Sequence, residues 1–121
     1  MTAKKAEAAM TFSILIKKED NMYIAHCLEL DIVATSNNLK RVEKDITDLV
    51  DAQIDYAFSH DNLDYLYRPA PPEVWKEFFE CKERSEIRNK IESHFKKDFP
   101  KSFVPPWMIA TICRSFVEDH A

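Results

Sequence analysis

Glycine is the most conspicuous absence from this sequence, because none of its 121 residues is glycine. Glycine-rich phosphate loops, the nucleophile elbow of hydrolases and the dinucleotide fingerprint all depend on glycine. The sequence therefore excludes these glycine-dependent sites and disfavours a nucleotide-binding enzyme. Tight turns must instead use Asn or Asp, which tolerate a positive φ better than other residues do.

The cysteines and histidines also lack the spacing that is typical of metal ligands. The three cysteines, Cys27, Cys81 and Cys113, lie far apart and form no Cys-x-x-Cys pair. This pattern favours three buried thiols in a reducing compartment. The four histidines stand at spacings that no metal motif predicts. We therefore expect no metal site and no cofactor.

Long apolar runs are missing too. No stretch approaches the ~18 apolar residues that a membrane span needs, and the Lys- and Ala-rich residues 1–9 lack the apolar core of a signal peptide. We expect residues 1–9 to be a disordered tail and residues 10–121 to form one domain. We also expect a cytoplasmic protein with no membrane partner.

Positive charge is scarce in the first two thirds of the chain. Residues 1–80 hold nine Lys or Arg against fifteen Asp or Glu, whereas residues 81–104 hold seven against four. A protein that binds nucleic acid strongly usually has a more basic domain than this one. The chain, with a net charge of −4, is thus acidic first and mildly basic later, which does not indicate a strong nucleic-acid-binding surface.

Three short segments of alternating polarity open the chain, over residues 11–17, 22–30 and 32–35. A period of two predicts half-buried strands, and their close succession predicts antiparallel neighbours. Glu19-Asp20-Asn21 predicts a tight hairpin between the first two strands. The apolar positions of the first strand are Phe12, Ile14 and Ile16.

A long amphipathic helix follows, since apolar residues recur at steps of three and four over about five turns. Either Asn37 or Asn38 can cap its first turn through the side-chain oxygen. The apolar positions are Leu39, Val42, Ile46, Leu49, Val50, Ile54, Ala57 and Phe58.

The second predicted strand contains Tyr23, Ala25, Cys27, Glu29 and Leu30, and Asn38-Leu39 opens the helix. With these residues, the stretch 10–58 resembles the module of HicB-type antitoxins. That family's second strand typically reads Tyr-x-Ala-x-Cys/Val-Pro-x-Leu, and Leu28 stands here in place of the proline. The resemblance implies a partial ribonuclease H-like fold whose last strand pairs with the first. It also implies a protein that sequesters a small HicA-type mRNA interferase.

The remaining chain predicts two more helices and a strand. Glu73–Lys82 would place Val74, Trp75, Phe78 and Phe79 on one side, and Ser85–Lys97 would turn Ile87, Ile91 and Phe95 inward. Trp107–Val117 is apolar on both faces and favours a strand.

The predicted fold class is α+β: a βββα(β) module with a three-to-four-stranded, mainly antiparallel sheet packed on one long helix. The module core is residues 10–58, residues 59–104 form a helical insertion, and the last strand lies within residues 105–117. No helix-turn-helix or ribbon-helix-helix pattern follows Pro72, so we do not expect the DNA binding that many HicB-type antitoxins add.

Three aspartates of the long helix, Asp48, Asp51 and Asp55, lie within roughly 60° of one another, opposite much of the apolar face. Such a stripe is most often a solvated surface. As a functional site, it would dock a basic partner, as an antitoxin docks an RNA-cleaving toxin. Metal binding is the weaker option, since helix carboxylates without other oxygen donors rarely hold a cation.

An alternative function is RNA binding through residues 95–107, where aromatics could stack bases and Lys96, Lys97 and Lys101 could meet phosphates. In the competing interpretation, the aromatics spaced by four residues are core. They are Phe95, Phe99, Phe103 and Trp107.

No catalytic residues are predicted. A nuclease of ribonuclease H type needs a carboxylate on the first strand, and residues 11–18 contain none. His26 and Cys27 are neighbours in a strand and point to opposite faces, so they cannot act as a pair. We expect a non-catalytic protein that forms a homodimer or a higher oligomer, since an open sheet leaves edges to be covered.

Overall fold

The structure is a computed structural model that describes residues 9–60, 66–90 and 107–116. The elements are β1 (Ala9–Glu19), β2 (Met22–Cys27), β3 (Ile32–Ser36), α1 (Leu39–Ser59), α2 (Pro72–Glu80), β4 (Arg84–Lys90) and β5 (Trp107–Arg114). The strands form one sheet in the order β3-β2-β1-β5-β4, in which β1 and β5 are parallel and the other neighbours antiparallel. The α+β class is confirmed, but the sheet has five strands instead of three or four.

Aspartate takes the place of glycine in both tight turns of the first half. Glu19 pairs with Met22, so Asp20 and Asn21 alone form the β1–β2 hairpin loop, and Asp20 has a φ of 54°. Asp31, in the turn before β3, has the same φ. Positive φ is unfavourable for most residues with a Cβ, and Asp is among the exceptions. The predicted tight hairpin is confirmed.

Helix α1 begins with a side-chain cap. The backbone N–H of Arg41 donates to Asn38 Oδ1 at 2.9 Å, and the N–H of Asn38 donates to Ser36 Oγ at 3.2 Å. The cap satisfies one of the unpaired amides of the first turn. Of the two candidates, Asn38 is therefore the capping residue.

The sheet is covered on both faces by apolar clusters. Alternation along β1 sends Phe12, Ile14 and Ile16 towards α1 and sends Leu15 to the opposite face, where it meets α2. The α1 residues buried in the larger cluster are Val42, Ile46, Val50, Ile54 and Ala57. The smaller cluster consists of Leu15, Leu28, Ala70, Phe78 and Cys113. Leu49, expected on the apolar face, is 40% exposed.

The segment from 84 to 90 is a strand, so the predicted helix over Ser85–Lys97 is wrong in this part. Arg84–Lys90 pairs antiparallel with β5 and places Ile87 next to Ala110. Ile87 packs against the larger cluster from this position. Pairing with β5 overrides the local helical pattern because strand formation depends mainly on cross-strand contacts. The predicted helical insertion therefore contains α2 and an edge strand among the described residues.

The last strand confirms the expected closure of the sheet. Trp107–Arg114 lies parallel to β1, with Ile14 beside Ile112 and Leu15 beside Cys113. Strand β1 is therefore central and buried on both faces, which explains its long apolar run.

A disulfide joins Cys81, just after α2, to Cys113 in β5. The prediction of three free thiols is therefore wrong for this pair and correct for Cys27, which is a buried free cysteine. The two bonded residues are 32 positions apart, and the pairing of β4 with β5, in which Arg84 lies beside Cys113, brings them together. Cysteine spacing alone cannot show such a pairing.

Some expectations fall on residues that the structure does not describe. They concern the tail before Ala9, the segment 61–65 and the predicted helical and RNA-binding residues between 91 and 106. Among the described helices, none is both long and apolar enough to cross a membrane.

Candidate protein-docking surface

Helix α1 separates a fully buried face from a polar one. Val42, Ile46 and Ile54 are completely buried against the sheet. Asp48 lies on the opposite side, with its side chain 62% exposed. Asp51 and Asp55 follow on the same side of the helix and are half-buried. The structure thus brings the three predicted aspartates together on one helix, as a surface that we call the acidic face.

The positive charges of α1 are confined to its first half. Lys44 Nζ lies 2.7 Å from Asp48 Oδ2, and Arg41 Nε lies 3.6 Å from Asp45 Oδ1. The hydrogen bond to Asp48 and its negative charge raise the pKa of Lys44. These one-turn pairs are solvent-exposed, so each adds little to helix stability.

The second half of α1 is uniformly acidic. From Asp45 to Ser59 the sequence has four aspartates and no Lys or Arg, and the last turn has no basic residue. The carboxyl end of a helix carries a partial negative charge from its unpaired carbonyl groups, which favours cations and disfavours acids there. The carbonyl groups at the end of the helix therefore do not account for this run of acidic residues.

An ion pair at the other side of α1 fixes the helix to the end of β5. Arg114 donates through Nε and Nη2 to Glu43 Oε1, at 3.0 and 2.6 Å. The N–H of Ser115 donates to the carbonyl of Ile16 at 2.9 Å, and the Phe116 ring packs edge-on against Tyr23. The acidic face is thus presented by a helix that is fixed to the sheet by its buried face and by the Glu43–Arg114 ion pair, and so is preorganised for binding.

A cavity of about 320 Å³ lies beside the C-terminal half of α1. Gln53, Tyr56 and Arg68 provide its polar lining. The ring of Tyr56 stacks on His60 at a centroid distance of 4.0 Å. The apolar lining comes from Leu30, Ile32, Ala57 and Leu66. The residues that line this cavity come from three separate segments of the chain, so the cavity cannot be predicted from the sequence.

A partly buried polar cluster lies just beyond the last residue pair between β1 and β2. Glu29 accepts hydrogen bonds from the Ser13 N–H at 2.6 Å and from Ser13 Oγ at 2.9 Å. Burial, and then the charge of Glu29, raise the pKa of Cys27 to about 12 and also raise the pKa of Tyr67. Cys27 is therefore protonated and unreactive at neutral pH. Glu29 therefore has a structural role. Its carboxylate accepts a hydrogen bond from the Ser13 amide, which lies beyond Ile14–Cys27, the last residue pair between β1 and β2.

The His26 and Cys27 side chains occupy opposite faces of β2, as expected. Cys27 belongs to the cluster beneath α1, whereas His26 pairs in register with Leu15 and Val33. His26 Nε2 donates to Asp31 Oδ1 at 2.6 Å, which fixes the turn before β3.

Helix α2 exposes part of the apolar side that the sequence predicts for it. Phe78 is buried, but Phe79 is 66% exposed and stacks on Trp75 at a centroid distance of 5.9 Å. Val74 and Trp75 are only partly buried. The four apolar side chains span more of the nine-residue helix than the small cluster beneath it can cover, so Phe79 remains outside.

The candidate RNA contacts Lys96, Lys97 and Lys101 lie outside the described residues. Within residues 9–60, 66–90 and 107–116, no group of three or more His, Cys, Asp or Glu is arranged to hold a metal ion. Comparisons with protein-family models, curated proteins and solved structures found no match for this chain.

Proposed function

We propose that this protein is a non-catalytic binding protein of the HicB antitoxin type, and that it sequesters a small HicA-type mRNA interferase. The observation that carries the proposal is the acidic face of α1, whose second half contains aspartates and no Lys or Arg. A toxin that binds RNA needs a surface suited to phosphates, and such a surface is complementary to this face.

The arrangement of the elements supports the same proposal. The resemblance implied three strands, a helix and a final strand beside the first, and β1, β2, β3, α1 and β5 have this order and these neighbours. A shared arrangement is an analogy for function and no more, so the charge of the acidic face carries the argument.

The test is a comparison of two variants with equal changes in net charge. Asp48→Lys with Asp55→Lys reverses the acidic face. Glu73→Lys with Glu83→Lys is the matched control, because both side chains are exposed and lie away from α1. Thermal unfolding of both variants establishes that they fold.

Tagged wild-type protein is captured from its native host at low salt, with and without nuclease treatment, and a retained small basic protein is then titrated by calorimetry. We expect the acidic-face variant to bind it at least about tenfold more weakly, since like charges then face each other across the interface. The control variant should retain the wild-type affinity. A complex that survives the acidic-face reversal would remove this face from the interface.

RNA binding is a separate outcome of the same capture. Nuclease-sensitive ultraviolet absorbance without a stoichiometric protein would replace the antitoxin proposal by RNA binding. Changing Lys96, Lys97 and Lys101 to Ala should then weaken binding and flatten its salt dependence.

The proposal includes a cytoplasmic location, because a toxin that cleaves mRNA acts where mRNA is translated. The Cys81–Cys113 bond counts against this location, since disulfides persist mainly in oxidising compartments. Alkylation of the protein inside intact host cells, followed by mass spectrometry, measures the fraction of Cys81 that is reduced. A bond that is fully formed in cells would contradict the cytoplasmic part of the proposal.

A further inference from the structure

The outer side of α2 is a second exposed surface, distinct from the acidic face. It forms an open groove of about 720 Å³ between the helix and the chain segment before it. Pro69, Pro72 and Trp75 provide apolar walls, and the exposed Phe79 ring stands at the rim. These side chains place apolar surface next to one another on the outside of the protein.

Two opposite charges flank this groove. Lys76 and Glu80 line it and are one helical turn apart, and neither forms an ion pair with another described residue. The groove thus carries no net charge, so it does not select a partner of one sign. It is complementary to a surface with the same two charges in reverse order.

We propose that the α2 groove binds the α2 groove of a second copy of this chain, across a two-fold axis. In such a pair the two helices are antiparallel, so each Lys76 faces Glu80 of the second copy, and each exposed Phe79 ring enters the groove of the other copy. A two-fold interface needs this self-complementarity: each contact between two different residues occurs twice.

The edges of the sheet are less suited to self-association. Edge strand β3 has five residues, and edge strand β4 carries Arg84, Glu86 and Arg88 on one side. Charged side chains and short length are the usual protections of an edge against pairing with another chain.

Helix α2 is also held rigidly enough to act as an interface. The Cys81–Cys113 disulfide fixes its C-terminal end, and Lys17 Nζ lies 2.6 Å from Glu77 Oε2. Arg84 Nη2 donates to the carbonyls of Phe78 and Phe79, at 3.0 and 3.2 Å. A surface that is already ordered loses little freedom on binding.

The experiment is sedimentation equilibrium from about 1 μM to about 1 mM, the range over which a weak dimer dissociates. The wild type should be a dimer. Lys76→Glu alone and Glu80→Lys alone should each raise the dissociation constant about tenfold or more, because both ion pairs become repulsive. An equimolar mixture of the two variants should form a heterodimer, since every pair across the axis is then opposite in charge again.

Phe79→Ala is the second test. The ring is largely exposed in one copy, so its removal should leave thermal unfolding of the monomer nearly unchanged while it weakens the dimer at least tenfold. Three results would each overturn the proposal: a monomeric wild type, a dimer that tolerates both single charge reversals, or a mixture that stays monomeric. The Asp48→Lys, Asp55→Lys variant should dimerise normally, so this test is independent of the proposed function.

Discussion

Replacing Cys81 with Ser should remove a large part of the stability of this protein. The disulfide to Cys113 links positions 32 apart in the sequence. In the chain-entropy account, closing a loop of this length lowers the entropy of the unfolded chain by about 12 cal/mol/K, which is about 3.7 kcal/mol at 25 °C. The Cys113 thiol that remains is buried beside Leu15 and Phe78, where it behaves as a small apolar group.

The other contacts of α2, among them the buried Phe78 ring and the hydrogen bonds from Arg84, are retained in the variant. The Lys17–Glu77 pair is partly exposed to solvent, and such pairs contribute about 0–1 kcal/mol. We therefore expect the free energy of unfolding to fall by roughly 3–4 kcal/mol in the variant. This is a substantial fraction of the 5–15 kcal/mol that is typical of a whole domain.

Urea unfolding followed by tryptophan fluorescence measures the change, with Trp75 reporting from α2 itself. Protein concentration is kept low so that dimer formation does not add to the stability. Dithiothreitol should lower the stability of the wild type to that of the variant and should not affect the variant. A loss below about 1 kcal/mol, or three reactive thiols in denatured protein that was never reduced, would refute the reasoning.

Three further predictions concern the α1 cap, the first hairpin and the buried thiol. Asn38→Ala should lower the free energy of unfolding by about 1 kcal/mol, whereas Asn37→Ala should have little effect, as measured by urea titration. Asp20→Val should destabilise the fold by about 1–2 kcal/mol in the same assay, because a β-branched residue does not tolerate the positive φ, and Asp20→Gly should not. Burial raises the pKa of Cys27 to about 12 from 9.0, so its contribution to stability is complete below about pH 9 and is lost as the pH rises towards 12, by about 1.4 kcal/mol per unit. The difference in unfolding free energy between the wild type and Cys27→Ala should therefore shrink over that interval, and a constant difference would contradict the raised pKa.

The first half of the chain was predictable because its signals are local. Alternation in β1 and the Asp20-Asn21 loop determine the hairpin within a few residues of sequence. The three-and-four spacing of α1 and its Asn cap are equally local. Each of these features depends on neighbours in the chain, and local propensity agrees with the final packing.

The second half was less predictable because its structure depends on distant partners. Ile87 fits a helical pattern, yet β4 is a strand because β5 is available to pair with it. Cys81 reaches Cys113 because the pairing of β4 with β5 places Arg84 beside Cys113. Phe79 matches the apolar side of α2 in sequence, but the cluster beneath is too small to cover it.

The candidate sites divide in the same way. The acidic face follows directly from helical spacing, so Asp48, Asp51 and Asp55 were identified from sequence alone. The α2 groove was not identified from the sequence. Pro69 lies in a predicted linker, Trp75 and Phe79 lie on the predicted apolar side of a helix, and only the structure shows how exposed they are. Surfaces made by tertiary packing need the fold before they can be recognised.

The most direct test of the proposed function is the affinity of the captured basic protein for the wild type, for Asp48→Lys with Asp55→Lys, and for Glu73→Lys with Glu83→Lys. Isothermal titration at low and at raised salt measures all three on folded protein. The account predicts weaker binding by about tenfold or more for the acidic-face variant alone, with a reduced salt dependence. Equal affinities for the three proteins, or equal losses in both variants, would contradict the claim that the acidic face of α1 is the docking surface.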